Sequence, residues 1–243
     1  RMPAISNGNG SVTGGNGITI ESTNIHPNNG GNYIVGLFLG TDASGNIARP
    51  NGATGMLIFD SDGNSIGGGG NNFRNVMSGN NGPAGSVGST GIAVTAGNSN
   101  SFHNNIVGLN GTGTTKLGNI LGVFMTGFDN SFGGDNTDDG NTVSGNGKPY
   151  TDDPIRCYGA GVQIAMLYDA ETQEPLTLNT TFRGNRIGAD ISGTLPRGNC
   201  GAGIYTGPTH QTTIGSITQS GRNIIGDNGF TAIRCTSEND FNL

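Results

Sequence analysis

The chain has 243 residues, 47 of them Gly, with 12% charged residues, 6% aromatics, no Trp and a net charge of −6. Eleven Lys and Arg, spread thinly, form no basic patch for a nucleic-acid backbone, and apolar runs such as Val35 to Leu39 are far too short for a membrane span. Low charge argues against ordinary disorder, and the every-third-residue Gly period of collagen is absent. A chain this rich in Gly and Asn must turn often, because both adopt positive φ cheaply.

Taken in chain order, one unit recurs: a small residue followed by apolar-x-apolar. It opens at Gly17-Ile-Thr-Ile and returns at Gly55, Gly91, Gly122, Gly161, Gly203 and Ala232, with spacings of 38, 36, 31, 39, 42 and 29 residues. A second unit, Asn-x-apolar, opens at Asn32, Asn75, Asn104, Asn141, Asn185 and Asn223. A third reads Ile66-Gly-Gly, Phe132-Gly-Gly and Ile214-Gly-Ser. Each period therefore carries three short strands separated by turns.

Such strands cannot bury their inner faces alone, but stacked periods bury a continuous core. Asn-Gly dipeptides favour hairpins. A hairpin meander is rejected, because the copy of each strand lies one full period away. The spacing predicts an all-β, right-handed parallel β-helix of about seven coils. Residues 1–243 then form one domain, read as a segment of a longer protein because the chain starts at Arg1.

Strand alternation points one set of side chains inward: Ile18, Ile20, Met56, Ile58, Ile92, Val94, Val123, Met125, Val162, Ile164, Ile204, Thr206, Ile233 and Cys235. It points Thr19, Leu57, Ala93, Phe124, Gln163, Tyr205 and Arg234 outward as one stripe, a candidate ligand platform or lateral interface. The Asn-x-apolar asparagines are expected to stack as an internal ladder at a turn.

A superrepeat spans two periods. It runs Asn32-Tyr-Ile-Val-Gly, Gly40-Thr-Asp-Ala-Ser-Gly-Asn, Gly55-Met-Leu-Ile, Asn64-Ser-Ile-Gly-Gly and Asn75-Val-Met-Ser-Gly-Asn, and restarts at Asn104 and Asn185. This cadence resembles the parallel β-helix repeats of large exported bacterial surface proteins. The resemblance covers nearly the whole chain and implies secretion or cell-surface display, with adhesive or carbohydrate-directed roles. Pectate-lyase-like enzymes share the fold, which does not settle function.

The Gly-His-Gly and Arg-x-Lys segments of β-helix hydrolases are absent. His26, His103 and His210 read as surface residues without a functional role. Calcium is a possible cofactor at Asp60 and Asp62, or at Asp135, Asp138 and Asp139, where carboxylates sit close in sequence; otherwise no cofactor is expected. The strongest departure from the repeat lies at 147–180, where two insertions gather Tyr150, Tyr158 and Tyr168 with Asp152, Asp153, Asp169, Glu171 and Glu174; Tyr205 stands beside them. Loops on a rigid scaffold are where binding concentrates, so these residues are the candidate ligand site. The two insertions are expected on one side of the column. Cys157 and Cys200 precede the glycines of neighbouring coils by four and three residues. A bridge at the base of the first loop and two free thiols both remain open.

The functional expectation is an exported surface, adhesive or carbohydrate-binding module without catalysis, its partner a polysaccharide or cell-surface glycan. A polysaccharide lyase or hydrolase is the alternative. A fibre-forming subunit, self-associating through its coil ends, is the second.

Overall fold

The computed structural model describes residues 4–5, 15–22, 30–81, 89–150, 153, 156–165, 177–207 and 211–236. These residues form a parallel β-helix with three sheets. Sheet 1 holds seven strands: Ile18–Glu21, Met56–Phe59, Thr90–Thr95, Leu121–Met125, Val162–Ile164, Ile204–Thr206 and Ile233–Cys235. Sheet 2 holds six, from Tyr33–Ile34 to Thr213–Ile214, and sheet 3 seven, from Ala4–Ile5 to Ile224–Ile225. Every pairing along these three sheets is parallel and joins one coil to the next. Helix among the described residues is confined to a single 3-10 turn, Asn71–Phe73.

The alternation is as the sequence requires. Met56, Ile58, Ile92, Val94, Val123, Met125, Val162, Ile164 and Ile204 are fully buried, and Thr206 is buried. Each such aliphatic side chain contributes roughly 1.5–3 kcal/mol by leaving water. Phe102, Phe132 and Phe182 of sheet 2 stack inside the column with ring centroids 5.7 and 5.5 Å apart. Ile233 and Cys235 keep the register, opposite Ile204 and Thr206. They are nonetheless exposed, because no described coil covers them.

The corners are held by asparagines, and by more of them than the expected single ladder. Between sheets 2 and 3, the side-chain amides of Asn75, Asn105, Asn141, Asn185 and Asn223 donate each to the next at 2.9–3.1 Å. Between sheets 3 and 1, Asn51, Asn80, Asn119, Asn146, Asn199 and Asn228 do the same. Between sheets 1 and 2, Asn32, Asn64 and Asn100 continue the pattern, and the backbone N–H of Asn100 donates to Asn130. Two expected members are thereby corrected. Asn32 belongs to this last ladder, since its strand lies in sheet 2. Asn104 belongs to none: it sits at φ +54° and Asn105 takes the rung.

The superrepeat has a physical cause. Alternate coils extend a hairpin over the outer face of sheet 3, marked by the bridges Thr41–Ala48, Leu109–Lys116 and Ala189–Pro196. The hairpins stack on one another through Gly111 N–H to Gly45 O at 2.8 Å and Ile191 N–H to Gly113 O at 3.0 Å. They cover Phe38, Val76 and Ile106 with Leu109 and Ile191. Each opens on a glycine with φ near +90°: Gly40, Gly108 and Gly188. A Cβ on Gly40 or Gly108 would lie 2.3 Å from the Oδ1 of Asn80 or Asn146, so only Gly combines this turn with the ladder.

Candidate functional site

The first insertion folds as a hairpin: Lys148–Pro149 pairs antiparallel with Cys157–Tyr158. The backbone N–H of Tyr150 donates to Arg156 O at 2.9 Å, and that of Arg156 donates to Asp153 O at 3.0 Å. The Arg156 guanidinium thereby lies 4.9 Å from the centre of the Tyr150 ring. Cys157 and Cys200 are bridged, with Cα atoms 5.6 Å apart, which fastens the hairpin base to the following coil.

The first insertion precedes the strand Val162–Ile164, on its sheet 3 side. The second insertion, 167–175, lies outside the described residues, and the expectation of a shared side falls there with it. Asp152, Tyr168, Asp169, Glu171 and Glu174 lie outside the described residues, as do His26, His210 and the side chain of Tyr158.

The outer stripe of sheet 1 is one continuous row. Thr19, Leu57, Ala93, Phe124, Gln163, Tyr205 and Arg234 are successive register partners. The stripe and the first insertion meet in a groove of about 560 Å³. Its floor is Gln163, Tyr205 and the small residues Gly159, Ala160, Gly201 and Ala202. Tyr150 and Arg156 make one wall, and Phe230, Thr231 and Arg234 of the next coil the other. Small residues at the sheet 3–sheet 1 corner leave the space open, and the hairpin bounds it. Arg234 lies 5.8 Å from the centre of the Tyr205 ring, whose hydroxyl is 3.2 Å from Thr236 Oγ1. Phe230 is 56% exposed. None of the described residues lining the groove is a carboxylate.

Compared with protein-family models, curated proteins and solved structures, the chain matches none. What the groove can do therefore follows from its own chemistry. Three aromatic rings and two guanidiniums converge from two coils and one hairpin, and most of the lining is apolar with polar tips. Such a surface suits a flat ligand with one apolar face and an edge of acceptors. Sequence reasoning placed Tyr150 in the insertion site, Gln163 and Arg234 in the outer stripe, and Tyr205 in both. It missed Arg156 and Phe230, which carry no repeat signal.

The acidic candidates for a cation go elsewhere. Asp60 lies in a turn at φ +49°, and Asp62 Oδ1 accepts the Asn98 backbone N–H at 2.7 Å. Asp135 accepts from Ser216 Oγ, Thr218 Oγ1 and Arg183 at 2.5, 2.8 and 3.1 Å. The hydroxyls of Ser216 and Thr218, aided by the Arg183 charge, hold its carboxyl below the usual range against a smaller effect of burial. Asp139 accepts from the backbone and side chain of Asn136 and faces His103 Nδ1 at 3.9 Å. Asp138 lines a separate pocket. Among the described residues no three His, Cys, Asp or Glu side chains gather as a metal site.

No helix of the described residues is long and apolar enough to cross a membrane.

Proposed function

We propose that this chain is a non-catalytic carbohydrate-binding module of an exported or cell-surface protein, with a saccharide held in the Tyr150–Tyr205 groove. The observation that carries the reading is the convergence of Tyr150, Tyr205 and Phe230 with Arg156, Arg234 and Gln163. The C–H face of a pyranose packs against an aromatic ring. Guanidinium and amide donors bind ring hydroxyls and favour sugars that bear carboxylates or sulfates.

Glycoside hydrolysis needs two carboxyl groups about 5–9.5 Å apart across the scissile bond. None of the described lining residues supplies one, which favours binding over hydrolysis. Export is supported by the Cys157–Cys200 bridge, since disulfides persist in oxidising compartments. It is supported too by the likeness of the superrepeat to exported bacterial β-helices.

The test is a glycan array weighted toward acidic oligosaccharides, followed by product analysis of every bound compound. The reading expects binding with the oligosaccharide recovered intact. Shortened or unsaturated products would replace it with a hydrolase or lyase.

A further inference from the structure

The outward row of sheet 3 reads Phe38, Val76, Ile106, Thr142, Arg186 and Ile224, each the register partner of the next. The hairpins cover Phe38, Val76 and Ile106 as an apolar surface, Thr142 follows as a buried polar residue, and Arg186 is the charged member of the row. Its Nε is buried and has no hydrogen-bond partner. Among the described residues, its guanidinium makes no ion pair. Isolated buried donors are costly, and a charge at a covered position more so.

A second guanidinium faces the same space. Arg74 is half-buried, and its Nε and Nη2 donate to Asn104 Oδ1 at 3.1 and 2.7 Å. Asn104, at φ +54°, also donates its amide to Gly68 O and Gly70 O at 3.1 and 3.0 Å. Burial, then the like charge of Arg186, pushes the Arg74 guanidinium below its ordinary value, and Asp138 acts weakly the other way. The two arginines line a pocket of about 370 Å³ with Asn104, Thr112, Thr137 and Asp138. A protein with net charge −6 thus places two positive charges and one carboxylate, Asp138, at one polar pocket. The neighbouring rungs of the same row hold without either.

We propose that this pocket is an oxyanion site, taking a carboxylate or sulfate group between Arg186 and Arg74. An oxyanion there accepts from the guanidinium N–H groups that face the pocket, relieves the repulsion between Arg186 and Arg74, and matches their planar donor geometry. The pocket has room for more than the ion, so the group can arrive free or as the substituent of an acidic sugar. The site lies on sheet 3 and does not depend on the tyrosine groove of sheet 1.

The experiment titrates the chain by calorimetry with sodium sulfate, against sodium chloride at equal ionic strength, and with a sulfated and a uronic-acid disaccharide. Melting is followed in parallel. Sulfate is expected to bind and raise the melting temperature where chloride does not. Arg186→Ile, which matches its register partner Ile224 and removes the buried unpaired donor, is expected to melt no lower than the native chain and to bind at least 10-fold more weakly. Arg74→Gln is expected to weaken binding several-fold. Should Arg186→Ile fail to fold, Arg186→Lys decides: it keeps the charge, loses the fork, and is expected to bind several-fold more weakly. A disaccharide that binds more tightly than inorganic sulfate identifies a sugar substituent as the ligand, and the reverse order identifies a free ion; both uphold the site. The site is overturned if none of the probes binds beyond the chloride control, or if the Arg186 variants bind as the native chain does.

Discussion

Asn141 lies 36 residues beyond Asn105, yet its Oδ1 accepts both the backbone N–H and the side-chain amide of Asn105 at 2.9 Å. Its own amide donates to Phe102 O at 2.8 Å and to Asn185 Oδ1 at 3.1 Å. One fully buried side chain thus joins the coils on either side of it. Asn141→Ala leaves several buried groups unpaired and is expected to cost on the order of 1–3 kcal/mol. Gln219→Ala, on an exposed turn, is expected to stay within about 0.5 kcal/mol. Equilibrium denaturation of the two variants checks this; equal midpoints would mean the ladder contributes nothing.

The ladders also show what was legible. The strand units and their alternation could be read because each apolar-x-apolar run repeats once per coil and its burial follows directly from position. Asn32 was misplaced because Asn-x-apolar opens strands in two different sheets. The Gly-Asn pairs at Asn80, Asn119, Asn146 and Asn199 did carry a signal, since each precedes a sheet 1 strand, but insertions spread their spacing. The groove and the Arg74–Arg186 pocket were not legible as sites. Their members come from different coils, and contact between coils depends on turn geometry that no single period encodes.

Register itself is testable at neighbouring positions. Ile92 is fully buried among the inner side chains, so Ile92→Asp buries an unpaired charge and is expected to cost several kcal/mol. Ala93 faces outward but is only 9% exposed between its register partners Leu57 and Phe124. Thr19, exposed in the same row, is therefore the cleaner control, and Thr19→Asp is expected to be mild. Thermal melts that rank the two aspartates equally would show the register to be wrong.

The hairpins over sheet 3 predict a pH dependence. Asp190 accepts from Ser192 Oγ at 2.7 Å and from the backbone N–H groups of Thr194 and Leu195 at 3.1 Å. Burial opposes ionisation, but these donors together hold its pKa below the ordinary value. Asp42 plays the same part in the first hairpin; Ser44 is the largest cause of its lowered pKa. A carboxylate whose folded pKa is depressed adds stability that is present above the unfolded value, near 3.9, and lost as pH falls through the folded one. Asn110 holds the middle hairpin with a neutral amide in the same place. Asp190→Asn is therefore expected to fold with little loss at pH 7 and to lose less stability than the native chain on going to pH 3. Denaturation midpoints at both pH values decide it.

Removing the bridge should act on stability and on the groove together. Cys157 and Cys200 close a loop with a sequence separation of 43 residues, for which roughly 2–4 kcal/mol is expected. The Cys157→Ser, Cys200→Ser double variant should melt lower and bind saccharide more weakly, because the Tyr150 wall loses its anchor. Unchanged melting would remove the bridge from this account.

The central claim is that the tyrosine groove binds saccharide, and its most direct measurement is calorimetric titration of an array-selected oligosaccharide into the native chain and into Tyr150→Ala and Tyr205→Ala. Both rings lie on the surface of the column, so both variants should keep the native melting temperature to within a few degrees. The account predicts that each binds at least 10-fold more weakly than the native chain. Native affinity in both folded variants would contradict it.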